Sequence, residues 1–111
     1  MIKTLFAPLP LFWLVLSFAM PRAQAADGKQ LFQDNKCNTC HSIKSQQVES
    51  TKKGDDKIVD LSKVGNSHDS AWIKQWLNKE AEKDGKKHKK KWSGSEGDLD
   101  TLVNWLASLK G

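Results

Sequence analysis

Cys37-Asn38-Thr39-Cys40-His41 decides the fold of this 111-residue chain. C-x-x-C-H is the pattern that attaches a c-type haem, and each part of it has a chemical task. Two thiols three positions apart can each form a thioether to one edge of the same porphyrin. The histidine directly after the second thiol is then held beneath the ring, where an imidazole nitrogen can bind the iron from the proximal side. Cys37 and Cys40 are the only cysteines in the chain, so neither has another partner. A thiol redox pair or half of a metal site is the competing use of C-x-x-C. That use calls for a thioredoxin-like βαβ pattern or further cysteine ligands, and the sequence has neither.

Upstream of the motif, residues 1–25 have the pattern of a secretory signal. Lys3 gives a positive start, Leu5 to Ala19 is an apolar run containing Pro8 and Pro10, and Ala23-Gln24-Ala25 is a small-x-small cleavage pattern. The run is shorter than the roughly 20 apolar residues a membrane span needs, and no cysteine at the cleavage point offers a lipid anchor. The expectation is an exported, periplasmic protein cleaved near Ala25, with residues 26–111 as one domain and no lasting membrane insertion. Removing Lys3 and Arg22 from the 18 basic residues leaves 16 against 13 acidic ones, a formal charge of +3. That is too mild to argue for nucleic-acid binding. A domain this small buries little surface by itself, so a covalently held haem would form much of its core. A monomer is expected.

Three helices are legible. Asp27 to Asn35 reads as a short helix with Asp27 as its cap and Leu31 and Phe32 as apolar contacts. His68-Asp69-Ser70 offers capping groups before Trp72, Ile73, Trp76 and Leu77, which share one helical face. Ser95-Glu96-Gly97-Asp98 resembles a capping box opening a last helix through Leu109, with Leu99, Leu102, Val103, Leu106 and Leu109 at spacings of three and four. Between them, Ser42 to Asn66 reads as a long irregular segment with a turn signal at Gly54-Asp55-Asp56, and Lys79 to Lys91 as a lysine-rich loop that frays out of the preceding helix. No strand-like alternation of useful length appears, so the fold class is all-α.

This order of elements resembles a class I bacterial cytochrome c over the whole of residues 26–111. The resemblance implies three to four helices wrapped around one covalent haem c. It also implies a close crossing of the first and last helices, with Gly28 and Phe32 in the family's Gly-x-x-x-aromatic pattern and Trp105 or Leu102 facing them. A glycine permits that approach because it has no side chain. The chain departs from the family in one place. Class I proteins usually carry a distal methionine in the loop before the last helix, whereas this chain has only Met1 and Met20, both in the signal segment.

His88 lies in that loop, four residues before Trp92, and is assigned as the distal ligand. The family's usual offset to the following aromatic is three, which lands on Lys89. A lysine would first have to lose its proton, at about 1.4 kcal/mol per unit between its pKa and the pH. His68, beside Asp69, is the other histidine available, and an open or water-filled sixth site is the remaining alternative. Exchange of methionine for histidine lowers a haem potential. The expected function is therefore one-electron transfer by a bis-histidine, low-potential haem, with a diatomic gas-binding or sensor protein as the alternative. No paired carboxylates or nucleophile–base arrangement points to an enzyme. Trp72, Trp76 and Trp92 are candidates for packing on the haem. Lysines 86, 87, 89, 90 and 91 are a candidate docking face for acidic redox partners.

Overall fold

The computed structural model describes residues 27–52 and 57–111, so the signal segment and the Gly54-Asp55-Asp56 turn lie outside the described residues. Helix α1 (Gly28–Asp34) starts where the Asp27 carboxylate accepts the Gln30 N–H at 2.8 Å, satisfying one of the free donors of the first turn. It buries Leu31 and Phe32. At its end Asn35 Nδ2 donates to Leu31 O at 2.8 Å, and Lys36 takes a left-handed conformation with φ 57°. That reversal sends the chain into a 3-10 turn, Cys37–Thr39, which presents the two thiols.

Against the all-helical expectation, the chain then makes a minimal parallel pairing. Strand β1 (His41–Ser42) lies beside β2 (Val59–Asp60), with His41 opposite Val59 and Ser42 opposite Asp60. Ile43 and Val48 exchange backbone hydrogen bonds of 2.8 and 3.0 Å, and both side chains are buried. The Asp60 carboxylate accepts from Lys44 N at 3.1 Å, Ser62 N at 3.3 Å and Ser62 Oγ at 2.8 Å. What read as irregular is thus a looped segment pinned at several points to the residues just after the motif.

Helix α2 (Ser70–Leu77) is capped by Asp69, whose carboxylate accepts from Trp72 N at 2.8 Å. The lysine-rich loop does not fray. Helix α2 stops at Asn78, Lys79 turns with φ 59°, and Lys83 and Lys86 pair across Asp84 and Gly85, both at positive φ. Two successive positive-φ residues match the twist of a tight two-residue turn, and Asp-Gly is a sequence that favours it. Trp92 N then donates to Leu77 O at 2.9 Å, so the loop returns to the end of α2.

Helix α3 (Glu96–Ala107) opens with Ser95 Oγ accepting from Asp98 N at 3.2 Å. It ends two residues before Leu109, the expected last helical position. By leaving the helix there, Leu109 keeps its side chain buried while its carbonyl accepts the Gly65 N–H at 2.8 Å. The apolar stripe Leu99, Leu102, Val103 and Leu106 faces inward and packs against both α1 and α2. Lys74 of α2 reaches Asp100 at 2.8 Å and Glu96 at 3.1 Å on α3, an exposed clamp of modest worth.

Helices α1 and α3 cross in close contact. A Cβ on Gly28 would lie 2.1 Å from Trp105 Cβ, so no side chain fits there. Phe32 meets the Trp105 ring edge-on, with centroids 6.1 Å apart. Overpacking of this kind costs about 1–3 kcal/mol, so guanidinium denaturation of Gly28→Ala should show a loss of that size. Gly97 sits in α3 with nothing near its Cβ direction. Gly97→Ala should be neutral or stabilise by about 0.5 kcal/mol, and an equal loss in both variants would contradict the crossing as the cause.

Candidate functional site

The residues of the motif are held by their neighbours' backbone. Cys37 is half-buried and Cys40 exposed, and both are free thiols three positions apart around the 3-10 turn. Thr51 N donates to Asn38 O at 3.0 Å, and Ser50 Oγ donates to Thr39 O at 3.2 Å, fixing the peptides between them. Burial pushes the Cys37 thiol up, with the positive charge of Lys90 acting in the opposite sense.

His41 owes its orientation to the strand pairing. Because Val59 stands opposite it, His41 Nδ1 lies 3.2 Å from Val59 O. A carbonyl can only accept, so in the neutral ring Nδ1 carries the proton and Nε2 presents a lone pair. Burial holds the His41 imidazole below the ordinary histidine range, the Val59 carbonyl opposes that shift, and the adjacent His88 adds to it.

His88 is brought to the same place from 47 positions away in the sequence. Its Nδ1 donates to Lys90 O at 2.6 Å, again leaving Nε2 with the lone pair. The two imidazoles have centroids 6.2 Å apart and planes within 14°. Two imidazoles bound on opposite sides of one metal, with metal–nitrogen bonds of about 2 Å and ring radii of roughly 1.1 Å, place their centroids about 6.2–6.4 Å apart. The observed centroid separation equals that value. Beside the pair, a cleft is lined by Cys37, Leu77, His88, Trp92 and Leu102. The cleft holds only about 30 Å³ and also takes in Lys90, Lys91 and Ser93, so it is the donor set, two thiols and two imidazoles, that fits a cysteine-linked, iron-centred macrocycle.

The alternatives to His88 fall elsewhere. His68 stacks on Trp72 at 3.7 Å, and its pKa is lowered by desolvation and by Lys83, with Asp69 opposing. It borders an open, polar hollow of about 380 Å³ that no thiol lines. Lys89 is exposed. Trp72 stacks on Trp76 at 5.3 Å, and Trp76 leans on His88 at 5.6 Å and 54°. Trp92 lines the cleft and anchors its indole N–H on Ser95 O at 3.0 Å. The row of His68, just before α2, with Trp72 and Trp76 on one face of the helix, ending against His88, was not anticipated as a unit. Its i, i+4, i+8 spacing was the signal for it.

A family model described as cytochrome c matches residues 25–110. No curated protein and no solved structure matches the chain significantly.

Burial and the pull of a bound metal both oppose protonation of His41. The folded pKa is lowered, so the unfolded chain binds more protons in acid and stability rises with pH. Stability from this group is fully present above the unfolded value of about 6.5 and is lost as pH falls through the folded value. An acid titration of the holoprotein, followed by circular dichroism and visible absorption, should stay flat from pH 8 to 6.5 and change only below that range. A transition centred above pH 6.5 would contradict a partly buried His41 held neutral.

Proposed function

Because the chain belongs to the cytochrome c family, we propose that it is an exported, periplasmic one-electron carrier whose haem is held by Cys37 and Cys40 and bound axially by His41 and His88. Family membership brings a covalently attached c-type haem, electron transfer and redox partner proteins. The haem, when bound, supplies a one-electron couple between ferric and ferrous iron.

The protein's part is to bind, orient and insulate. The thiols of Cys37 and Cys40, just past the end of α1, would anchor the macrocycle. The Val59 and Lys90 carbonyls fix the tautomers of His41 and His88, leaving Nε2 of each ring as the nitrogen that would bind iron. Leu77, Trp92 and Leu102 supply apolar surface beside His88. With His41 and His88 both bound to the iron, no coordination site would remain for a substrate, which supports an electron carrier over an enzyme. The same filling argues against the gas-sensor reading. Residues 1–25 would direct export and be removed, leaving 26–111 as the working domain, and no helix among the described residues is long and apolar enough to cross a membrane.

The observation that carries this reading is the close approach of His41 and His88, with ring centroids 6.2 Å apart and planes nearly parallel. Imidazole is a stronger donor to ferric iron than a thioether, so the potential should be low. Lysines 86, 87, 89, 90 and 91 are exposed on the loop that carries His88 and would steer an acidic partner toward it, with a rate that falls as salt rises.

Redox titration tests the assignment. His88→Met should raise the midpoint potential by about 100 mV or more, within the roughly 0.8 V span that axial ligation and surroundings command. His68→Ala should leave it unchanged. A large shift in His68→Ala with none in His88→Met would move the distal ligand to His68.

A further inference from the structure

His88 sits on a lysine-rich loop, yet one lysine of that loop is unlike the others. Lys90 Nζ donates to Asn35 O at 3.0 Å, across 55 positions of sequence. Asn35 is the C-cap of α1, two residues before Cys37. The carbonyls at a helix C-terminus carry partial negative charge and lack intrahelical donors, so an ammonium is favoured there. The carbonyl of the same Lys90 accepts the His88 Nδ1–H at 2.6 Å. Asn35, Cys37, His88 and Lys90 line one cleft.

We propose that Lys90 is a positioning residue that clamps the distal His88 onto the peptide carrying the haem attachment. Its two ends do different things. The carbonyl fixes the rotation and tautomer of the His88 ring, while the ammonium ties the loop to the end of α1, immediately before the thiols. Without the second tie, the described contacts that still locate the loop are its return at Trp92 N to Leu77 O and Trp76 against His88, and neither reaches the end of α1. His88 would then leave the iron more often, although its own side chain and hydrogen bond are untouched. This rests on His88 being the distal ligand.

Carbon monoxide binding to the reduced holoprotein reads that departure, because the gas can occupy the sixth position only after the imidazole leaves. In the native protein binding should be slow and independent of gas concentration at saturation. Lys90→Met should bind about fivefold faster, the size expected for loss of one exposed charged hydrogen bond. Lys90→Gln should fall between them, Lys90→Arg should restore the native rate, and Lys89→Met should match the native protein. Guanidinium midpoints on the same samples separate a local effect from general destabilisation, and the arginine rescue is not expected of a merely structural residue. A native rate in both Lys90→Met and Lys90→Gln, or an equal increase in Lys89→Met, would overturn the role of Lys90 and leave His88 ligation standing. Immediate, concentration-dependent binding by the native protein would overturn the His88 assignment itself.

Discussion

The 6.2 Å separation between the ring centroids of His41 and His88 sets the task of the elements around them. Two neutral rings left in water would either stack or drift apart. Here each is held by a backbone carbonyl at Nδ1, Val59 O on one side and Lys90 O on the other. Those carbonyls belong to segments with little regular structure of their own. Their positions follow from the two-residue β1–β2 pairing and from the loop that runs from α2 back to Trp92. Short ties of this kind are individually weak, so the site depends on many of them acting together, such as the Asp60 carboxylate on Lys44 and Ser62.

Helix α3 is the platform on which those ties rest. Its apolar stripe receives α1 at the Gly28–Trp105 crossing and α2 along Ile73 and the Lys74 clamp. The crossing brings the end of α1, and so Cys37, beside Leu102. Leu102 is fully buried while still bordering the cleft. Packing of three short helices therefore places the attachment thiols, and the loop between α2 and α3 places the opposing histidine. Fold and site share the same contacts, as expected of a domain too small to afford a separate core.

Much of this was legible in the residues. Asp27, Asp69 and Ser95 marked the helix starts because a short oxygen-bearing side chain before an apolar-periodic run has few other uses. Gly28 and Phe32 pointed to the close crossing, and the structure brings Trp105 to Gly28. The parallel pairing of His41 with Val59 was not legible, since two-residue strands have no periodicity to read. The tight turn at Asp84-Gly85 was visible as a dipeptide but was masked by the surrounding lysines. Leu109 continued the helical pattern in sequence, yet its carbonyl is used by Gly65 outside the helix. The contact between Lys90 and Asn35 joins positions with no local signal. Such long-range polar contacts depend on the tertiary path, which composition and spacing do not encode locally.

The most direct measurement is low-temperature electron paramagnetic resonance of the purified ferric protein, because the spectrum reports both the number of axial imidazoles and the angle between their planes. Two coordinated imidazoles with planes within 14° of each other should give a single rhombic low-spin signal that is lost or replaced in His88→Met and preserved in His68→Ala. A high-spin signal from the native protein, or a low-spin signal that survives His88→Met unchanged, would contradict axial binding by His88.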